Sequence, residues 1–245
     1  MPATLNEQTT VGEWVVREPH LGRIFEDLGI DYCCGGKVSL EEACRRRQLA
    51  PREVMRRLQK ADPHSPGADA AIDAGALTLT ALADHIEQTH HAYLRRELPR
   101  LFALTQKVAR AHGSRHPGMI ELAEVFRNFQ HELEQHMFKE EHVLFPMIRV
   151  MEQPGPLPGF HCGSIANPVA VMEHEHDNAG DALARMRRLS DDYQPPSDAC
   201  NTFRVLLDSL SRLEADMHQH VHKENNVLFP RAVELEARRR VATGS

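Results

Sequence analysis

The segment HMFKEEHVLFP, from His136 to Pro146, returns as HVHKENNVLFP from His220 to Pro230. Corresponding residues lie 84 positions apart, so the chain contains an internal duplication. In each copy a histidine is followed four residues later by a glutamate, and on a helix such residues project from one face, one turn apart. This spacing predicts a metal site that is built on two helices.

Each copy is preceded by a further histidine at nearly the same distance. His91 lies 45 residues before His136, and His176 lies 44 residues before His220. The duplication therefore extends to four helices. A helical bundle builds a two-metal carboxylate site by directing such side chains inward from facing helices. The predicted metal ligands are His91, His136, Glu140, His176, His220 and Glu224.

The predicted ligand set contains nitrogen and oxygen donors and no thiolate, which favours iron or manganese over structural zinc. Each ion would have about four protein ligands, so positions stay open to water, an oxo group or a diatomic gas. Bridging by Glu140 and Glu224 would offset the repulsion between two cations about 3.5 to 4 Å apart. The alternative is a bundle whose inward histidines only satisfy one another, but buried polar groups are costly without partners.

Two further residues near these helices are weaker candidates. His112 ends the helix that carries His91, but the 21 residues between them span about 31 Å of straight helix. Only a break at Pro99 would bring His112 back to the site, so it is retained as a peripheral candidate ligand. Glu175, beside His176, is a candidate catalytic or pathway carboxylate, and an exposed helix glutamate is the equally weighted alternative.

Composition limits the classes of partner. A net charge of −6 and a pI near 6.2 argue against a nucleic-acid surface. The polar start from Met1 to Thr10 is unlike a secretory signal, and no apolar run approaches the roughly 18 residues that span a bilayer. We therefore expect a cytoplasmic protein that binds neither nucleic acid nor membrane.

Helical signals dominate the chain, and no alternating pattern favours a sheet, so the predicted class is all-α. A linker is predicted at residues 62–75, between a small helical domain at 1–61 and a bundle at 76–245. Pro146 and Pro230 are expected to kink or open the second and fourth bundle helices about a turn and a half beyond the glutamates. An up-down four-helix bundle is expected, with helices near Leu77 to Ala111, Gly118 to Met151, Asn167 to Ser190 and Ala199 to Arg239.

The amino-terminal region carries DYCCGG, from Asp31 to Gly36, between two predicted helices. Adjacent cysteines seldom form an unstrained disulfide, so Cys33 and Cys34 are expected to be free thiols. Their position in a glycine-containing turn before a helix favours a reactive role over the alternative of apolar packing. Five cysteines do not form a disulfide framework, and the other three, Cys44, Cys162 and Cys200, are expected to be incidental.

The Cys-Cys-Gly-Gly turn, the histidine and glutamate pattern, and ENNVLFPRA from Glu224 to Ala232 resemble the repair-of-iron-centres family. Its members are di-iron proteins of bacterial nitrosative and oxidative stress, and the resemblance covers nearly the whole chain. It implies a hemerythrin-like four-helix bundle from about Leu77 onward. It also implies two iron ions, bridged by the two predicted glutamates and by an oxo or hydroxo group. The family's first histidine ligand matches His91 rather than His90, and a further family histidine matches His112.

The resemblance implies a protein that restores iron–sulfur clusters damaged by nitric oxide or peroxide, as a donor of labile iron. Iron–sulfur cluster proteins would be its clients, and Cys33 and Cys34 would guide or receive the metal. Two alternatives stay open: an enzyme that reduces nitric oxide to nitrous oxide at the iron pair, and a hemerythrin-like oxygen binder or sensor. A homodimer through the amino-terminal module is one arrangement that the sequence allows.

Overall fold

The computed structural model describes residues 5–61, 72–157 and 159–243. Within these ranges the regular structure is helical, with no β-strand, and the predicted all-α class is confirmed. An isolated bridge joins Thr10 to Ser39. Most of the predicted linker, residues 62–71, lies outside the described residues.

Four short helices form the amino-terminal module. The hydroxyl oxygens of Thr10 and Ser39 each accept a hydrogen bond from a backbone N–H three residues on, at 3.2 Å, and so cap two of these helices. Trp14, Phe25 and Leu40 are buried in the module's own apolar core. The helices are α1 (Val11–Arg17), α2 (Gly22–Asp27), α3 (Leu40–Arg46) and α4 (Pro51–Gln59), with a 3₁₀ turn at Pro19–Leu21.

The remaining helices form the bundle, in four long rods that run close to the predicted bounds. Helix α6 packs against α7 and α10, and α7 packs against α9. The successive rods form the predicted up-down arrangement. The rods consist of α5 (Leu79–Ile86) with α6 (Ala92–His112), α7 (Gly118–Lys139) with α8 (Phe145–Glu152), α9 (Ala166–Leu189), and α10 (Asn201–Lys223) with α11 (Phe229–Thr243).

Three of the four rods contain a widened π-helical turn. The turns at Glu140–Leu144 and Glu224–Leu228 begin at the predicted glutamates and end before the prolines, so the opening lies nearer the glutamates than the sequence indicated. A proline lacks an N–H and crowds the carbonyl four residues earlier, and the wider turn relieves both problems. No proline directly follows the turn at Glu87–His91, and this turn was not predicted. By contrast, α6 continues through Pro99.

The bundle has two separate apolar cores. One is built around Phe126, Leu210 and their neighbours in α6, α7, α9 and α10. The other is built around Phe145, Phe229 and their neighbours near the opposite end. Along all four rods, the predicted metal ligands lie between the residues of one core and the residues of the other. The fold therefore places a polar layer between two apolar ones, where water has little access.

The amino-terminal module packs on the bundle beside this layer. Gln219 Nε2 donates to the Tyr32 hydroxyl at 2.6 Å, and Asn226 Nδ2 donates to the main-chain carbonyls of Tyr32 and Cys33 at 3.3 and 3.1 Å. Gly36 lies so close to Asn226 that an added Cβ would fall 2.5 Å from its Oδ1. The Cys-Cys-Gly-Gly segment from Cys33 to Gly36, here called the thiol turn, is thus held against α10 and against the π-helical turn Glu224–Leu228. In the described ranges no helix is long and apolar enough to cross a membrane.

Candidate metal centre

Six side chains converge in the polar layer, in two overlapping groups. In each group the nitrogen and oxygen atoms that could bind a metal lie within 4.8 Å of one another, and every member is buried. Both glutamates belong to both groups. One group contains His91, Glu140, His220 and Glu224, and the other contains His136, Glu140, His176 and Glu224.

The distances between donor atoms suit a metal ion at the centre of each group. Nε2 of His91 lies 3.2 Å from Nε2 of His220, and Nε2 of His136 lies 3.0 Å from Nε2 of His176. Two donors that bind one metal at about 2.1 Å and at right angles are themselves about 3 Å apart. The histidine pairs therefore have the spacing of ligands that share an ion.

The two glutamates are placed to serve both groups at once. The two oxygens of Glu224 lie 3.0 Å from His220 Nε2 and 3.1 Å from His176 Nε2, so the carboxylate spans the groups. Glu140 Oε2 lies 3.3 Å from Nε2 of both His91 and His136. Both glutamates are fully buried, and in the described part of the chain neither oxygen of Glu140 has a hydrogen-bond partner of good geometry. Because a buried carboxylate needs compensation, these residues fit a bound cation.

The charges of the site balance by mutual contact. Burial opposes the charged form of His91, but its contacts with Glu140 and Glu141 prevail and raise its pKa to about 9. At His136 the contacts, chiefly that with Glu140, likewise outweigh burial and raise the pKa to about 10. Against burial, the contacts with His220 and His176 hold the pKa of Glu224 well below its ordinary value. Protons on His91 and His136 thus occupy the place of positive charge that a metal would supply.

The outer nitrogen of His91 and that of His176 are held by equivalent residues of the two repeats. Nδ1 of His91 contacts Glu141 Oε1 at 2.7 Å, and Nδ1 of His176 contacts Asn225 Oδ1 at 2.8 Å. Since Glu141 and Asn225 lie 84 positions apart, the duplication extends to this outer contact. Sequence reasoning missed both residues, although each directly follows a repeat glutamate. A hydrogen bond at Nδ1 fixes the ring and leaves Nε2 free for a metal.

Glu175 has the equivalent role for His136. Its Oε2 lies 3.0 Å from His136 Nδ1, while its other oxygen pairs with Lys139. These contacts, that with His136 first, lower the pKa of Glu175 to about 2. Glu175 and His136 also line a cavity of about 320 Å³ that reaches the site from between α7 and α9. Glu175 thus lies between the site and this cavity, and its role as a pathway carboxylate stays a prediction.

Comparisons with known proteins show the family to which the chain belongs. Residues 82–232 match the hemerythrin HHE cation-binding domain, and residues 7–62 match a domain of unknown function, DUF542. The chain is 36% identical to the iron-sulfur cluster repair protein YtfE of Musicola paradisiaca, over 94% of this chain and 98% of that one. It is 31% identical to the iron-sulfur cluster repair protein ScdA of Staphylococcus haemolyticus, over 92% and 98% of the two chains. The chain belongs to the repair-of-iron-centres family.

The thiol turn of this repair-of-iron-centres protein lies against one of the site's helices. Cys34 Sγ lies 3.6 Å from the main-chain carbonyl oxygen of His176, and 4.0 Å from Cys33 Sγ. All five cysteines are free. Asp31 accepts hydrogen bonds from the Cys33 backbone N–H at 2.9 Å and from its thiol at 3.2 Å. The contact with Cys34 and burial raise the pKa of the Cys33 thiol well above its ordinary value, so Cys33 is protonated at neutral pH.

Two further histidines that the sequence singled out, His90 and His112, lie outside the six converging residues. His90 is buried and its ring stacks on that of His220, with ring centroids 5.2 Å apart, while its ring nitrogens contact Asp216 and Lys223. The structure thus places His91, and not His90, among the six converging residues. His112 does not reach them, because α6 is unbroken and carries it to the far end of the bundle. There His112 Nε2 contacts Cys200 Sγ at 3.2 Å.

Proposed function

We propose that this protein holds two iron ions between its apolar cores and repairs damaged iron–sulfur clusters by donating that iron. The single observation that carries the proposal is the pair of overlapping histidine and glutamate groups, which share Glu140 and Glu224. Two carboxylates shared by four imidazoles provide compensating charge for two close cations. The name shared by the matching proteins from two bacterial genera, iron-sulfur cluster repair protein, supports the same conclusion.

The ligand chemistry suits storage that is reversible. Imidazole and carboxylate donors accept iron, but they hold ferrous iron less firmly than a cage of thiolates does. When bound, the iron pair supplies open coordination positions and one-electron chemistry to a diatomic ligand such as nitric oxide or oxygen. The chain's own part is to orient the donors: Glu141, Glu175 and Asn225 fix three of the four imidazoles, so that their Nε2 atoms face the shared glutamates.

The thiol turn offers a route by which iron leaves. Cys34 lies against the carbonyl of His176, and Asp31, Cys33 and Cys34 form a third cluster of possible metal donors. Thiols are softer ligands than carboxylates and become good iron ligands once deprotonated. Because Cys33 is protonated in the resting protein, it competes poorly for iron until a client or a base removes its proton. Iron–sulfur cluster proteins are the clients in this proposal.

The proposal is tested by following isotopically labelled iron. The protein is loaded with ⁵⁷Fe(II) under anaerobic conditions, then mixed with an apo iron–sulfur protein and a sulfide source, with and without nitric oxide. We expect cluster formation in the client to account for the iron lost by this chain. Nitrous oxide is counted in parallel with a reductant present. Many equivalents of nitrous oxide, with the iron retained, would replace the proposal with nitric oxide reduction.

A further inference from the structure

The far end of the bundle holds a cysteine and histidine pair that the iron site does not use. Cys200 is exposed and precedes the first residue of α10, while His112 is 6% exposed and ends α6. Nε2 of His112 lies 3.2 Å from Cys200 Sγ. We infer that Cys200 is a site of reversible mixed-disulfide formation with low-molecular-weight disulfides, and that His112 activates its thiol.

Among the described residues, the hydrogen-bonding contact of the His112 imidazole is the Cys200 thiol. Within the described residues Nδ1 of His112 is buried without a hydrogen-bond partner, so Cys200 is its hydrogen-bonding contact. Phe203 packs against the ring, with centroids 5.1 Å apart, and holds it in place. Burying a polar ring such as His112 with one hydrogen-bonding contact costs free energy. Packing alone therefore does not explain why an imidazole occupies this position. An imidazole at hydrogen-bond distance from a thiol is the arrangement that activates nucleophilic cysteines.

The surroundings of Cys200 also suit attack by its sulfur on a small disulfide. Cys200 is the N-cap residue of α10, and its side chain makes no capping hydrogen bond there. The positive end of the helix dipole therefore adjoins this residue. Asp198, two residues before Cys200 in the chain, is engaged by His116 at 2.9 Å and by Arg115 at 3.3 Å. Its negative charge is therefore offset close by. Exposure of Cys200 lets a small disulfide approach the sulfur.

The reaction is a thiol–disulfide exchange that needs no metal. The Cys200 sulfur attacks one sulfur of the disulfide R–S–S–R, the bond between the two R–S sulfurs breaks, and its electron pair leaves with R–S⁻. The thiol proton passes to His112 Nε2 and then to the leaving thiolate, giving R–SH. Cys200 is oxidised to the mixed disulfide while half of the reagent is reduced. A second thiol reverses the reaction by the same steps.

The test measures the rate at each cysteine of the full chain. The protein is incubated with oxidised glutathione at pH 7, samples are quenched over time, and mass spectrometry of peptides reports the mixed disulfide at each residue. Cys162 is the reference thiol, because it is half-buried and no histidine side chain is described in contact with it. We expect Cys200 to react about tenfold faster than Cys162. Equal rates at the two residues would overturn the inference.

Two further measurements separate activation from simple exposure. The variant His112→Gln is expected to lower the Cys200 rate about tenfold and to leave the Cys162 rate unchanged. If that variant does not fold, wild-type protein in urea replaces it: a thiol that His112 activates reacts more slowly after unfolding, despite greater exposure. A Cys200 rate that rises on unfolding, or is unaffected by His112→Gln, would show that exposure alone controls the reaction.

Discussion

Asn225 Oδ1 accepts a hydrogen bond from Nδ1 of His176 at 2.8 Å, inside the buried layer of the bundle. The bond orients the ring so that its Nε2 faces Glu224 at 3.1 Å. In the first repeat Glu141 does the same for His91. One residue in each half therefore both follows a shared glutamate and orients a histidine of a different helix. Iron binding is expected to depend on these outer contacts as well as on the six inner residues.

Replacing Asn225 with Ala should weaken iron binding without abolishing it. The His176 ring would lose its orienting bond, and loss of such an outer partner typically lowers metal affinity about 10- to 100-fold. Competition with a ferrous chelator measures the change. The exposed Asn128→Ala variant, on α7, is the control and should bind iron like wild type. Unchanged affinity in Asn225→Ala would show that the amide is not needed.

Replacing Glu140 or Glu224 with Ala should remove most of the bound iron. Each carboxylate is fully buried and belongs to both ligand groups, so its loss leaves two cations with little compensating charge. We expect well under half of the wild-type iron per chain, measured by metal analysis after anaerobic loading. Glu134→Ala, at an exposed position on α7, is the matched control. Wild-type iron content in either buried variant would refute the predicted site.

The double variant Cys33→Ser, Cys34→Ser should keep its bundle iron and lose transfer to a client. The thiols contact the main chain at His176 rather than any of the six converging side chains. Labelled-iron transfer and the iron absorption spectrum are recorded on the same sample, with Cys162→Ser as control. If the spectrum disappears together with transfer, the thiol turn is required to form the site, and the route proposed for iron is wrong.

Gly36→Ala should loosen the docking of the thiol turn. The added Cβ would fall 2.5 Å from Asn226 Oδ1 and 2.6 Å from the Tyr32 carbonyl oxygen, and the latter is main chain that cannot turn aside. We expect a loss of about 1 to 3 kcal/mol in unfolding free energy, with faster alkylation of Cys34. Gly159→Ala, where a Cβ meets nothing within 4 Å, is the control. Equal stability of the two variants would show that the turn adapts freely.

The free energy of unfolding should decrease at acidic pH as Glu236 becomes protonated. It is buried, accepts from the Ser164 hydroxyl at 2.6 Å and pairs with Arg240 at 2.8 Å. Burial opposes its charge, but these contacts prevail and lower its pKa below the ordinary 4.5. Its contribution to stability is therefore complete above about pH 4.5 and is lost as the pH falls through the lowered folded value.

The variant Glu236→Gln tests this dependence. At pH 7 it should unfold with about 1 to 3 kcal/mol less free energy than wild type, and the difference should shrink as the pH falls toward 3. Urea titrations at several pH values measure both quantities. Glu234→Gln, exposed on the same helix, should change little. A difference that persists undiminished at low pH would assign the effect to packing rather than to the carboxylate charge.

Much of the site could be predicted from residue spacing, because helical periodicity alone decides which side chains share a face. His136 and Glu140 lie four residues apart, and so do His220 and Glu224, so each pair had to project together from its helix. For Glu175 the sequence allowed two interpretations, a catalytic or pathway carboxylate and an ordinary exposed glutamate. Glu141 and Asn225 were missed because a residue adjacent to a ligand projects about 100° away from it, and such a side chain reaches the site only through a neighbouring helix.

The sequence by itself determined the helical class, the duplication and the six converging residues, since these follow from helical periodicity and from the spacing of the two repeats along the chain. Tertiary structure alone decided how the two halves combine: His91 of the first half meets His220 of the second, and His136 meets His176. It also decided that the thiol turn packs beside His176, and that His112 pairs with Cys200 instead of approaching the site. These arrangements depend on which helices pack side by side, and that is settled by burial of apolar faces across the whole bundle rather than by the spacing of residues along any one helix.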